Sequence, residues 1–90
     1  MDIKNLTYFI TLAEQKNMRK ASEILYISQP SLSYFLTKLE EDVGMPLFYR
    51  TKKELQLTTA GQMYLEAAIS MVRIRNDLYK NLQSLENHHR

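Results

Sequence analysis

Residues 21–39 read Ala-Ser-Glu-Ile-Leu-Tyr-Ile-Ser-Gln-Pro-Ser-Leu-Ser-Tyr-Phe-Leu-Thr-Lys-Leu, and this stretch decides the fold. Ser28 is placed to cap a helix by accepting a hydrogen bond from a free backbone N–H, and Pro30 suits a first turn, where no intrahelical donor is needed. A helix ending at Leu25, a turn at Tyr26 and Ile27, and a helix starting at Gln29 together predict a helix-turn-helix. In that motif the second helix enters a DNA major groove.

Upstream, Asn17 is a good cap for the first helix of the motif, about 18–25, with Ala21, Ile24 and Leu25 facing inward. Ile3, Leu6, Ile10 and Ala13 recur at steps of three and four residues, which predicts an amphipathic helix over about 3–15. The helix after the turn extends over about 29–43. Leu32, Leu36, Leu39 and Val43 line its core face, and Gly44 stops it by taking the left-handed conformation. A rotation of about 100° per residue puts Pro30, Ser33, Tyr34, Thr37, Lys38 and Glu41 on the opposite side. Gln29 projects from the helix start, and a glutamine there can pair with the N6 and N7 atoms of adenine.

After Met45-Pro46 the pattern changes to two short apolar segments, Leu47-Phe48-Tyr49 and Leu55-Gln56-Leu57, around a basic tip. That is a β-hairpin over about 47–57. Beside a helix-turn-helix it is a wing, whose Arg50, Lys52 and Lys53 would reach a phosphate backbone or the adjacent minor groove. From Thr58 or Thr59 as cap, a helix continues to at least Leu85. Tyr64, Ala68, Met71, Leu78, Leu82 and Leu85 follow a three-four alternation close to a coiled-coil seam, interrupted by Arg75, which pairs across subunits or snorkels outward. A helix of this length outruns so small a core, and a second copy of the chain is the simplest cover for its outer half.

The expected fold is therefore mainly α: three helices plus a short β-hairpin form a winged helix-turn-helix over 1–57, followed by a dimerisation helix over 58–90. Ninety residues make one small domain, and such a chain buries only about 60–65% of its extended surface. It contains no cysteine, which suits a reducing cytoplasm. Met1-Asp2-Ile3-Lys4 lacks the basic flank and apolar run of a leader, and no segment approaches a membrane span, so a cytoplasmic location is expected. The net charge of +2 and pI near 8.9 are too mild to identify a nucleic-acid binder by themselves. Their distribution says more, since Arg19-Lys20 and Arg50 to Lys53 flank the candidate recognition helix.

Catalysis is not expected. There is no Gly-rich phosphate loop and no cysteine nucleophile, and the only histidines are His88 and His89 at the tail. Glu40, Glu41 and Asp42 are consecutive and splay around a helix instead of converging as an acid-base pair. No cofactor is expected, and two adjacent histidines do not close a metal shell.

The order of Phe9, Ala21-Ser22-Glu23-Ile24-Leu25, Ser28-Gln29-Pro30-Ser31-Leu32-Ser33, Leu39-Glu40-Glu41, Gly44-Met45-Pro46-Leu47-Phe48, Arg50-Thr51 and Leu57-Thr58-Thr59-Ala60-Gly61 resembles the N-terminal DNA-binding domain of LysR-type transcriptional regulators. The resemblance covers nearly the whole chain without a gap. It implies a winged helix-turn-helix, a linker helix that pairs with a second subunit, and a partly palindromic promoter site with A/T-rich half-sites. It assigns DNA contacts to Gln29, Pro30, Ser31 and Ser33, and backbone contacts to Arg50 and Lys53. Two departures stand out. Tyr34 and Phe35 replace the common Arg-Gln, so a ring that can touch a thymine methyl and one hydroxyl stand where a guanidinium is usual. Lys52 occupies the place of a wing-tip glycine.

The family also carries a larger effector-binding domain that senses a small molecule. The chain is thus expected to be a piece of a longer protein, a natural short protein being the alternative, with an effector only for the full length. Double-stranded DNA and a second copy of the chain are the expected partners. An alternative is a protein-interaction module in which the wing and long helix dock another protein.

Overall fold

The computed structural model describes residues 2–88. His89 and Arg90 lie outside the described residues, as does the side chain of His88, and with them the histidine tail singled out from the sequence. The order of elements is α1 (Ile3–Gln15), α2 (Met18–Leu25), α3 (Gln29–Val43), β1 (Phe48–Arg50), β2 (Leu55–Leu57) and α4 (Thr59–His88). Three side-chain caps start the first three helices: Asp2 accepts from the Lys4 N–H, Asn17 from that of Lys20, and Ser28 from that of Ser31. Each cap satisfies an orphan donor, so these helix starts are written into single polar residues. Thr58 caps α4 in the same way, its hydroxyl accepting from the Gly61 N–H at 3.0 Å while donating to the Pro46 carbonyl at 2.8 Å.

The core gathers Phe9, Leu12, Ala13, Ala21, Leu32, Leu36, Leu47, Phe48 and Leu55. Phe9 is its hub. Its ring centre lies 5.1 Å from that of Phe48 and 4.6 Å from that of Tyr64, which ties the hairpin and α4 to the same helix. The sequence stripe on α1 needs rotation: Leu6, Phe9, Leu12 and Ala13 are buried, whereas Ile3 and Ile10 are only half-buried. The cause is that α1 packs against α2 on one side and α4 on the other, so its buried arc centres on Phe9. Ile24 and Val43 are also corrected. They are 50% and 38% exposed, because Ile24 lies on the side of α2 turned away from the core, which Leu25 faces, and Val43 is the last residue of α3, a turn beyond Leu39, which packs against the core.

β1 and β2 form one antiparallel pair, with Phe48 opposite Leu57 and Arg50 opposite Leu55. The hairpin is tied down at both ends. Leu55 N–H donates to the Lys16 carbonyl at 2.9 Å, and Thr58 N–H to that of Leu47 at 3.0 Å. At the tip, the Thr51 hydroxyl donates to the Glu54 carbonyl and accepts from the Lys53 and Glu54 N–H groups. That turn requires no left-handed residue, so Lys52 is accommodated where a glycine is common.

The first three turns of α4 belong to the folded core, through Ala60, Gly61, Tyr64, Leu65 and Ala68. From Arg73 to Asn87 every residue is exposed. The expected seam is therefore corrected at its start. Ala68 is fully buried within its own chain and cannot face outward as a dimer contact, while Tyr64 is half-buried against Phe9. Met63, Ala67, Met71, Ile74, Leu78, Leu82 and Leu85 are exposed instead, at four-four-three steps that hold one side of the helix. Arg75 lies beside this stripe, its guanidinium 4.4 Å from the centre of the Tyr79 ring.

Candidate nucleic-acid interface

The helix-turn-helix is closed by a left-handed residue that is not glycine. Tyr26 has φ 57°, and its N–H donates to the Glu23 carbonyl at 3.3 Å while that of Ile27 reaches Ser22 at 3.1 Å. The Ser22 side chain is buried and donates to the Arg19 carbonyl at 2.7 Å. These bonds end α2 within a single residue. Ser28 then starts α3 at once, which fixes the angle at which α3 is presented.

On α3, Leu32 and Leu36 are buried and anchor the helix from below. Above them, Gln29, Pro30, Tyr34, Thr37 and Lys38 are exposed. Tyr34 stands on the crest at 67% exposure. Ser31 is exposed, but its hydroxyl already accepts from that of Ser28 at 2.8 Å. Ser33 lies on the shoulder and is half-buried. Lys38 comes within 3.9 Å of Glu41, a loose solvated pair.

Arg50, Lys52 and Lys53 are all exposed on the hairpin. Lys16 joins them. It takes a left-handed conformation in the turn between α1 and α2, and with Asn17 and Met18 it lines a cleft completed by Arg50 to Leu55. Nothing in the sequence marks this neighbour, since it is the fold, through the Leu55 N–H bonded to the Lys16 carbonyl, that brings the turn to the hairpin. The Arg19-Lys20 cluster is weaker than its sequence suggests, because Arg19 pairs with Glu23 at 2.7 Å on an exposed helix face. Among the described residues, no group of His, Cys, Asp and Glu could hold a metal ion.

This arrangement can be compared with known proteins. Residues 3–62 match the family model described as bacterial regulatory helix-turn-helix protein, lysR family. The chain is 40% identical over 83 residues to the HTH-type transcriptional regulator YcgK of Bacillus subtilis, a match covering 92% of this chain and 26% of that protein. It is also 40% identical over 72 residues to the Hca operon transcriptional activator HcaR of Escherichia coli, covering 80% of this chain and 24% of the activator. The chain thus spans about a quarter of the length of these relatives, which are regulators of transcription and not enzymes. Among solved structures, the CbnR_DBD–DNA complex superposes with a TM-score of 0.85 at 32% identity, covering 94% of this chain and 98% of that one. The BenM_DBD complex with benA site 1 DNA gives 0.88 at 27% identity, covering 94% and 99%. With the family model matched over most of its length and the same winged architecture in these neighbours, the chain belongs to the LysR family of bacterial regulatory helix-turn-helix proteins.

Proposed function

We propose that this chain binds double-stranded DNA with sequence preference as a homodimer, α3 lying in the major groove and the hairpin acting as the wing. The observation that carries this reading is the geometry of α3. Its polar flank stands free of the core from its first turn, while the helix is held rigidly from below by Leu32 and Leu36. The two DNA-bound neighbours support it, since they share the fold over nearly the whole chain. Gln29, Pro30, Ser31, Ser33, Tyr34, Thr37 and Lys38 are the residues assigned to the groove. Arg50, Lys52 and Lys53, with Lys16 added, serve the flanking backbone or minor groove as point charges.

The two roles divide the chain functionally. Residues up to about Val72 make the reading unit, including the first turns of α4, and the remainder of α4 pairs with a second copy through the stripe ending in Leu78, Leu82 and Leu85. Such a regulator works in the bacterial cytoplasm, where its DNA lies; no helix of the described residues is long and apolar enough to cross a membrane.

Fluorescence anisotropy with promoter-derived and scrambled duplexes tests the reading. Affinity should favour one sequence and fall steeply with salt as counterions return to the phosphates. Lys53→Ala should weaken binding to all sequences alike and reduce the salt slope by about one unit. Equal affinity for every duplex at every salt concentration removes the proposal.

A further inference from the structure

From Gln29 to Thr37, α3 contains neither lysine nor arginine. Lys38 is the first cation on the helix, and it lies toward Glu41 and away from the N-terminal turns. Guanine is read in the major groove through its O6 and N7 acceptors, most often by the fork of an arginine or by a lysine. The leading turns of α3 carry no such donor. What they do expose is an amide at Gln29, suited to adenine, the apolar ring of Pro30, the methyl of Thr37, and above all the Tyr34 ring on the crest. The thymine C5-methyl is the one apolar group on the floor of the major groove.

We infer that Tyr34 sets the sequence preference of this chain by packing its ring against a thymine methyl, so that each half-site is read at this position as an A·T pair. The inference rests on the proposed DNA binding and adds the base and the group within it that are recognised. The neighbours of Tyr34 along the crest reinforce the choice. Pro30, one turn before, and Thr37, one turn after, offer carbon surface without a charge, so a methyl there would be covered on several sides. The phenol itself is free: Tyr34 takes part in no side-chain hydrogen bond or ring stacking among the described residues.

The test begins with selection of a consensus from a randomised duplex library by the whole chain. Thymines of that consensus are then replaced one at a time by deoxyuridine, which lacks only the C5-methyl, and affinities are measured by anisotropy. One replacement per half-site should weaken binding about fourfold, the ratio that withdrawing a single methyl-sized apolar group from water produces. Tyr34→Ala should bind the methylated and demethylated duplexes equally, whereas Tyr34→Phe should keep the preference. Because Tyr34 is exposed, both variants should retain the circular dichroism of the parent, which separates loss of reading from loss of fold. A chain that selects no consensus defeats the DNA reading on which this rests. A chain that selects one, yet is indifferent to every missing methyl or stays equally sensitive after Tyr34→Ala, overturns the role of Tyr34 alone.

Discussion

Glu40 stitches α3 to the hairpin. Its Oε2 accepts from the N–H groups of Leu47 and Phe48, at 2.7 and 3.1 Å, and so receives the chain after Gly44 turns it back with φ 83°. Glu40→Ala leaves two partly buried donors without an acceptor and should cost about 2–3 kcal/mol, while Glu40→Gln, which keeps an oxygen there, should lose less. Urea unfolding of the three proteins gives the order, and equal midpoints would show that water replaces the carboxylate freely. Gly61 presents the second such case. Alanine in a helix ordinarily gains about 1 kcal/mol over glycine, but a Cβ at 61 runs into the Leu47 carbonyl oxygen. Gly61→Ala should therefore destabilise by about 1–3 kcal/mol, reversing the usual sign, and a raised midpoint would contradict the close packing. Neither role was legible in the sequence. Glu40 was one acid of a consecutive run, and its partners are backbone N–H groups beyond the end of α3, which no pattern of side chains announces.

Whole elements were far more legible, and their failures share one cause. Asn17, Ser28, Pro30 and Gly44 state helix ends locally, so α2 and α3 emerge at the predicted bounds. Which face is buried depends on neighbours, and α1, held between α2 and α4, turned Phe9 and Leu12 inward where a single-sided stripe suggested Ile3 and Ile10. The same holds for α4, whose first turns face the core through Tyr64 and Ala68. Burial raises the Tyr64 phenol above its ordinary value of 10.0. Above pH 10 the unfolded chain has then released a proton that the folded chain still holds, so stability falls as pH rises. Chemical denaturation at about pH 9 and about pH 11 should show a larger alkaline loss in the parent than in Tyr64→Phe, which has no phenol to ionise. Parallel losses in the two proteins would mean that the hydroxyl is solvated in the fold.

At the scale of the whole molecule the problem is coverage. The protein measures 56 × 26 × 20 Å, and the long axis follows from α4, whose 30 residues extend about 45 Å at 1.5 Å each. Its outer half packs on nothing in its own chain, yet it carries Ile74, Leu78, Leu82 and Leu85 in line with Met63, Ala67 and Met71. Isolated helices of about 12–15 residues are marginal in water, so this half needs a partner to remain formed. The steps of four, four and three residues average about 3.67 per turn, the 11-residue repeat whose stripe drifts slightly toward a right-handed supercoil. Two copies can therefore lie along each other with little left-handed supercoiling, and Arg75 with Tyr79 stays at the margin. On the proposed pairing, Leu82→Asp puts a charge in that apolar stripe and should halve the sedimentation mass at concentrations where the parent is a dimer. Its helical ellipticity should fall as well, as the outer turns of α4 fray without cover. A variant that keeps the full mass would place the contact between copies elsewhere, and one that becomes monomeric with undiminished helix would show that α4 stands by propensity alone.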